Sequence, residues 1–195
     1  MTTHSVKAAT ADDEAAIFAV LTLAFSSDPA TRWTWPEPRT FIEVFPRFAK
    51  AFGGAAFARG TAHSIGRVGA ALWLPPGARP DEEAMGALMQ ETADVATAVD
   101  GPKLMQQMAS HHPKEPHWYL PLIGIDPACQ GKGFGSILLK HATDICDRDG
   151  MPAYLESSNL ANVPLYERHG FEAIGRIQVG GSPVFTPMLR RPGRR

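Results

Sequence analysis

Residues 120–139 read LPLIGIDPACQGKGFGSILL and form the most informative segment of the chain. A hydrophobic segment typical of a strand enters a turn that contains Gly131, Gly133 and Gly135, and an apolar segment typical of a helix leaves it. Glycine tolerates positive φ angles and lets a ligand come close to the backbone. The free amides at a helix start, together with the helix dipole, bind phosphate groups. The stretch therefore predicts a strand, an anion-binding turn and a helix.

The spacing of the glycines separates this turn from two other phosphate-binding motifs. A P-loop requires G-x-x-x-x-G-K-[ST], but Gly131-Lys132 has no glycine five positions earlier and is followed by another glycine. A dinucleotide-binding turn requires G-x-G-x-x-G, and the glycines here fall one residue short of it. The motif present is Gln130-x-x-Gly133-x-Gly135. A tight turn without any ligand is the remaining alternative for this segment alone.

A second motif lies downstream, where residues 154–171 read YLESSNLANVPLYERHGF. The pattern predicts a strand, a polar loop, a short helix and the start of another strand at Gly170-Phe171. We expect Asn162 to cap the short helix and Pro164 to occupy its first turn. Tyr166 on this helix is by itself typical of a packing residue. Its position after the glycine turn makes it a candidate functional group.

Together these motifs resemble the GNAT superfamily of N-acetyltransferases. Residues 105–190 are similar to its puromycin N-acetyltransferase type, and the first hundred residues follow only the general layout of strand, two helices and hairpin. Pro121 departs from a regular strand because proline removes a ladder donor, and it fits a bulge. The motifs that carry the resemblance are HHPKEPHWY at 111–119, Asp126-Pro, Gln130-Gly-Lys-Gly, Leu155-Glu156 and residues 162–171.

The resemblance implies an α/β (α+β) fold of three layers. Its sheet would be mixed and mostly antiparallel, with about seven strands flanked by helices and with splayed central strands. One domain would cover residues 1–195, with an acyl-CoA-binding half at about 115–190 and an acceptor-binding part at about 25–112. The cofactor contacts would come from Ile123, Gly124, Ile125, Gln130, Gly131, Lys132, Gly133, Phe134, Gly135, Ser136, Asn162 and Tyr166.

The implied reaction is transfer of an acetyl group from acetyl-CoA to an amine of a small molecule, by direct attack in a ternary complex without a metal. Tyr166 would protonate the departing thiolate, and Glu156 would be the base that takes the proton of the amine. The alternative bases are His111, His112 and His117. Two other functions stay open, a non-catalytic acyl-CoA-binding or regulatory module and a peptide or protein N-acetyltransferase.

Trp33 and Trp35, in a predicted loop, are the candidates for acceptor contacts. The sequence also predicts a helix that starts after Asp13 and is ended by Ser26, Ser27, Asp28 and Pro29, and helices over 39–52, 81–99, 103–110, 133–148 and 163–169. The predicted strands cover 6–8, 62–65, 68–74, 117–125, 153–156, 171–179 and 184–189.

The composition narrows the class of protein. The chain has 195 residues, of which 44% are hydrophobic, and a formal charge of −1 from 19 basic and 20 acidic side chains. These values exclude wholesale disorder and the strongly basic character of a protein held to nucleic acid or to a membrane by its overall field. No apolar run reaches the roughly 20 residues of a membrane span. We therefore expect a cytoplasmic protein with Cys129 and Cys146 reduced, and we leave a homodimer open.

Overall fold

The computed structural model describes residues 5–193, except for the side chain at position 96. Eight α-helices and seven β-strands lie in this part of the chain. The strands are β1 (Lys7–Ala8), β2 (Ala62–Ile65), β3 (Gly69–Leu74), β4 (Trp118–Ile125), β5 (Ala153–Ser157), β6 (Glu172–Ala173) and β7 (Thr186–Arg190). The helices are α1 (Glu14–Phe25), α2 (Pro29–Thr34), α3 (Pro38–Gly53), α4 (Ala55–Ala58), α5 (Glu82–Thr92), α6 (Val95–His111), α7 (Phe134–Asp149) and α8 (Val163–Glu167).

The seven strands form one sheet in the order β1-β2-β3-β4-β5-β7-β6. All neighbours are antiparallel except β4 and β5, which run parallel across the α7 crossover. Helices α1 and α3 contact one face of the sheet, and α7 contacts the other. The three-layer α/β fold with a mixed, mostly antiparallel sheet of seven strands is thus confirmed.

The central strands pair over only two positions. Trp118 lies opposite Ala153 and Tyr119 lies opposite Tyr154, and no further β4–β5 pair follows in the described chain. Both strands continue beyond this point, each held on its outer side by β3 or β7. The central strands are therefore splayed, as the resemblance implies.

A bulge in β4 begins just where the two strands separate. Leu74 of β3 lies opposite Tyr119 and Leu72 lies opposite Leu122, so that two β4 residues, Leu120 and Pro121, span the place of one β3 residue. The bulge predicted at Pro121 is confirmed. An extra residue shifts the alternation of side chains by one. As a result Leu122 returns to the α1 and α3 side, where Tyr119 also packs.

Two tryptophans that the sequence analysis assigns to a loop lie in or beside a helix instead. Trp33 is part of α2, and Trp35 follows the helix directly. The helix starts here because Asp28 Oδ1 accepts hydrogen bonds from the amides of Ala30 (3.0 Å) and Thr31 (3.1 Å), with a proline in the first turn. The prediction of a loop was wrong because the Asp-Pro pair, taken as the end of α1, begins α2.

The segment between the hairpin and β4 also differs from the prediction of a helix over 81–99 and another over 103–110. Helix α5 ends early because Ala93 is extended (φ −70°, ψ 145°). Helix α6 then runs to His111 and continues through Pro102, although proline cannot donate a helix hydrogen bond.

None of the helices within residues 5–193 has both the length and the apolar character of a membrane span.

The strand predicted over 171–179 is reduced to the two residues of β6. Its pairing with β7 stops after Ala173 opposite Met188, and a single bridge joins Ile177 to Phe185 farther along. Pro187 lies between these two contacts and cannot return a hydrogen bond to the segment that donates to its carbonyl oxygen. The ladder is therefore interrupted, and residues 174–185 run mainly as a loop.

A bidentate ion pair fastens the end of α7 to β7. Arg190 Nη1 and Nη2 donate to the two carboxylate oxygens of Asp147, each at 2.7 Å. The Arg190 side chain is only 11% exposed, and its Nε donates to the carbonyl oxygen of His169 at 2.9 Å. The hydrogen bonds from Arg190 lower the pKa of Asp147. The ion pair therefore joins the end of the crossover helix α7 to β7, the strand that pairs with β5.

We expect Asp147→Asn to lower the free energy of unfolding by about 2 kcal/mol, because it leaves a mostly buried guanidinium without its counter-charge. The pKa of Asp147 is lowered in the folded state, so the stabilisation is present above the ordinary carboxyl value of about 4 and is lost as the pH falls. Urea denaturation at pH 7 and at pH 3 measures both effects. The control is Asp144→Asn, which breaks an exposed pair with Lys140 on the same helix and should cost less than about 0.5 kcal/mol. Equal losses in the two variants would contradict the prediction.

Candidate active site

The gap between β4 and β5 exposes one backbone edge of β4. The amide of Asp126, just after the strand, donates to the carbonyl of Val68 beside β3 at 2.8 Å. Successive residues of a strand direct their backbone groups to opposite edges. The backbone groups of Ile125 and Ile123 are therefore directed away from β3 and into the gap. These amides and carbonyls can bind an extended ligand that carries amide groups.

Gly124 lies on the face of β4 that contacts α1. A Cβ added at this position would lie 2.6 Å from the Cβ of Ala24 and 3.1 Å from the Cδ2 of Leu21. Real Cβ atoms do not approach other atoms so closely. The glycine thus lets α1 lie directly against the strand beside the gap, and its backbone points toward β3.

The glycine turn leaves open space at the start of α7. Gly131 and Gly133 have positive φ angles of 74° and 83°, and a Cβ added at either would meet no atom within 4 Å. Gly133 is the N-cap of α7, and no side chain caps this helix. The Gln130 side-chain amide donates to the carbonyl of Ile125 at 3.2 Å, which fixes the turn to the end of β4. An uncapped helix start with open space in front of it fits a pyrophosphate.

The first turn of α7 lies against α8 and the turn that follows it. Ser136 Oγ lies 2.7 Å from Nε2 of His169, and a Cβ added at Gly135 would lie 3.4 Å from Leu165 Cδ2. Lys132 bends back along the turn, where its Nζ donates to the carbonyl of Ala128 at 3.2 Å. The predicted turn residues therefore come together at one end of the gap, next to the helix that carries Tyr166.

Tyr166 is buried on α8, with its ring edge-on to Phe171 at a centroid distance of 6.2 Å. Burial raises the pKa of its hydroxyl, and the carboxylate of Asp28 raises it further. The phenol therefore keeps its proton at neutral pH and is available as a donor. Asn162 lies at the start of α8, but its side chain makes no cap hydrogen bond, so its predicted capping role was wrong. Asn159 caps the turn before α8 instead, by accepting from the amide of Ala161 at 3.0 Å.

Asp28 was not among the site residues predicted from the sequence. Its side chain caps α2 through Oδ1 and accepts a hydrogen bond from Ser158 Oγ on Oδ2 at 2.6 Å. Burial raises the pKa of Asp28, while the hydrogen bonds from Ser158, Thr31 and Ala30 act in the opposite direction. This carboxylate ties α2 to the end of β5, next to Tyr166. The Asp-Pro start of α2 was a signal for the cap, but the contact with Ser158 joins residues 130 positions apart.

Glu156 lies on β5 beside the gap, and its side chain is only 5% exposed. The hydroxyl of Tyr119 donates to Glu156 Oε2 at 2.9 Å, and His112 Nδ1 lies 3.7 Å from Oε1. Burial, together with the charge of Glu156, raises the pKa of Tyr119 well above its usual value, so this hydroxyl stays a donor. Tyr154 stacks on Tyr119 at a centroid distance of 6.0 Å.

The three predicted histidine candidates occupy different places. His112 and His117 face each other, with their Nε2 atoms 3.0 Å apart. His111 points elsewhere, because its Nδ1 lies 2.9 Å from the carbonyl oxygen of Gln107 and its ring packs against Gly175. Within residues 5–193 no group of three or more His, Cys, Asp or Glu side chains is arranged to hold a metal ion. Both cysteines are free thiols.

The structure separates the two tryptophans. Trp33 is half-buried and packs against a small cluster formed by Leu104, Ile177 and Phe185. Trp35 is 2% exposed in the main core, and its Nε1 donates to Thr92 Oγ1 at 3.1 Å. Trp33 therefore borders the surface between α6 and the loop before β7. The burial of Trp35 leaves it no surface for a substrate.

Comparisons with known proteins agree with this geometry. The acetyltransferase (GNAT) family matches residues 28–171. A Corynebacterium glutamicum protein described as histone acetyltransferase HPA2 and related acetyltransferase has a TM-score of 0.66 and 25% identity, over 98% of this chain and 97% of that one. Arylalkylamine N-acetyltransferase 2 from Aedes aegypti has a TM-score of 0.66 and 10% identity, over 97% and 99% of the two chains, and shows likeness of fold alone.

A shorter match is closer in sequence. An uncharacterized N-acetyltransferase from Schizosaccharomyces pombe is 48% identical over 54 residues, which are 28% of this chain and 22% of that protein. The match thus spans about a fifth of the length of this curated relative. The family match instead extends over most of the chain and includes the glycine turn and Tyr166. The chain therefore belongs to the acetyltransferase (GNAT) family.

Proposed function

We propose that this protein transfers an acetyl group from acetyl-CoA to an amine of a small molecule, by direct attack while both substrates are bound. The family uses acetyl-CoA as its co-substrate. The observation that carries the proposal is the gap between β4 and β5, with the uncapped turn of α7 at one end, Glu156 on the β5 strand and Tyr166 on the helix that follows β5. A base and a proton donor flank the same opening.

Different residues of the gap have different roles in binding and in the reaction. The amides from Gln130 to Ser136 hold the pyrophosphate, and the backbone of Ile123 and Ile125 holds the extended arm and the thioester carbonyl. When bound, acetyl-CoA supplies the activated acetyl group. Glu156 takes a proton from the amine, directly or through water, and Tyr166 gives its proton to the departing thiolate sulfur.

The acceptor binds in the part of the chain from about residue 25 to 112, and the acyl-CoA half lies at about 115–190. We further propose that the chain is of the puromycin N-acetyltransferase type and that its acceptor is an amphipathic amine. Trp33 offers a partly exposed aromatic surface against which such an amine can stack. The buried carboxylates of Glu156 and Asp28 favour a cationic amine near the end of β5. The free cysteines suit a cytoplasmic setting.

Thiol release tests the proposal. The full chain is mixed with acetyl-CoA and with a panel of aromatic amines, aliphatic amines and peptides, and the products are identified by mass spectrometry. We expect turnover with at least one small amine. Binding of acetyl-CoA without turnover on any amine would favour a non-catalytic module, and a preference for peptides over small amines would favour a peptide N-acetyltransferase.

We expect Tyr166→Phe to lower kcat by about a hundredfold, because the thiolate loses its proton donor. The KM for acetyl-CoA should stay within about twofold, since the hydroxyl acts on the leaving group. Steady-state thiol release measures both. Thermal melting of Tyr166→Phe is the control, because an unchanged melting temperature separates loss of the proton donor from loss of the fold. An unchanged kcat in Tyr166→Phe would remove this tyrosine from the chemistry.

Gly133→Glu should abolish binding of acetyl-CoA, because the side chain would fill the turn and place a negative charge next to the pyrophosphate. Isothermal titration calorimetry measures the affinity. Gly150→Glu is the matched control, since Gly150 lies at the other end of α7, also has a positive φ (64°) and also faces open space. Both variants carry the same backbone strain of about 1 kcal/mol or more, and only Gly133→Glu should lose the ligand. Retained affinity in Gly133→Glu would contradict the assignment of the turn.

A further inference from the structure

Two histidines connect Glu156 to the surface. His112 directly follows α6, and His117 directly precedes β4. Their rings cross at 61° with centroids 4.8 Å apart, and their Nε2 atoms are 3.0 Å apart. His112 is 35% exposed and faces Glu156. The two side chains thus form a short polar path from a buried carboxylate to solvent.

The hydrogen bonds determine which ring nitrogens carry protons. His117 Nδ1 lies 2.7 Å from the carbonyl oxygen of Glu115, and a carbonyl only accepts, so His117 carries its proton on Nδ1. Burial lowers the pKa of His117, which keeps the ring neutral at neutral pH and leaves a lone pair on Nε2. His112 must therefore donate from its own Nε2. In the neutral form of His112, its Nδ1 is then a lone pair that faces Glu156 Oε1.

The other groups around this pair are fixed donors or are paired elsewhere. Glu156 Oε2 already accepts from the hydroxyl of Tyr119, and the Tyr119 and Tyr154 rings flank His112 at centroid distances of 4.9 and 4.7 Å. The Tyr154 hydroxyl also faces Glu156, and burial together with the charge of Glu156 raises its pKa, so this hydroxyl stays a donor. The Glu115 carboxylate pairs with Arg191. Glu156 Oε1 and His112 Nδ1 are thus two acceptors that face each other, and one proton between them would join them.

We propose that Glu156 and His112 share the proton removed from the acceptor amine, with His117 holding His112 in the tautomer that this requires. This inference rests on the proposed acetyl transfer. The amine loses one proton and keeps the electron pair of that N–H bond for its attack on the acetyl carbon. The proton passes through Glu156 to Nδ1 of His112, which becomes an imidazolium between Glu156 and His117. His112, which is partly exposed, then releases one proton to water, and Glu156 returns to its carboxylate form. His112 and His117 are positioning residues, and only Glu156 meets the amine.

The first test is a pH profile of kcat/KM for His112→Gln, His117→Gln and the wild-type protein. We expect His112→Gln to lower the plateau at least about tenfold and to move the acidic limb to lower pH, because the shared proton site is then reduced to a lone carboxylate. His117→Gln should lower the plateau less and move the limb in the same direction. A fall in the plateau with an unmoved acidic limb would indicate a purely structural role and overturn the proposal. The control is His141→Gln, which changes a histidine of α7 on the other side of the sheet and should leave the profile unchanged.

The second test needs no turnover. Ring 15N chemical shifts at neutral pH should show His117 protonated on Nδ1 and His112 protonated on Nε2. The opposite tautomer at His112 would overturn the proposal, even if the Gln variants do not fold. Failure of the wild-type protein to acetylate any amine would instead refute the proposed function, and the two failures are therefore distinguishable.

Discussion

The separation of β4 from β5 is the constraint on which the rest of the site depends. Buried backbone amides and carbonyls must find hydrogen-bond partners, so a sheet does not open in its middle without compensation. Here the outer ladders with β3 and β7 hold each strand in place, while the bulge at Leu120 and Pro121 bends β4 away after Tyr119. The edge of β4 that remains is a row of donors and acceptors suited to the amide groups of an extended ligand.

The same bulge also determines which face of the sheet each later β4 residue points to. By shifting the alternation by one residue, it directs Leu122 and Gly124 toward α1 and the side chains of Ile123 and Ile125 toward the α7 side. Gly124 then permits α1 to lie against the strand, and this contact brings the end of α1, and with it Asp28, to the open end of β5. The one extra residue of the bulge thus influences the free backbone edge of β4, the position of α1 and the position of the Asp28 carboxylate near Tyr166.

The parts of the fold that could be predicted from the sequence are those that depend on local conformation. The glycine turn, α7 and β5 follow from residues whose backbone preferences and periodicity agree with one another. Trp33 and Trp35 were assigned wrongly because Asp28-Pro29 fits both the end of one helix and the start of the next. The short β6 could not be foreseen, since the interruption depends on Pro187, which lies across the sheet.

The candidate site, like the fold, could be predicted from the sequence only in part. The sequence motifs led to Glu156 and Tyr166 as candidates, but they gave no reason to choose His112 over His111, its neighbour in the chain. That choice depends on where α6 ends, because one residue along a helix turns a side chain by about 100°. His111 consequently contacts Gly175, whereas His112 faces Glu156.

Although the formal charge of the chain is only −1, the two sides of the gap carry local electrostatic fields of opposite sign. The glycine turn leads into α7, and its positive character comes from backbone amides, which no count of side chains includes. Glu156 lies on the other face of the sheet, with Tyr119 and Tyr154, and its charge is enclosed where water screens it little. A few groups held at low exposure therefore suffice to favour an anion on one side and a cation on the other. A near-neutral chain therefore needs no large net charge to attract an anion and a cation to the same gap. The sheet holds the two regions of opposite charge at a fixed distance from each other.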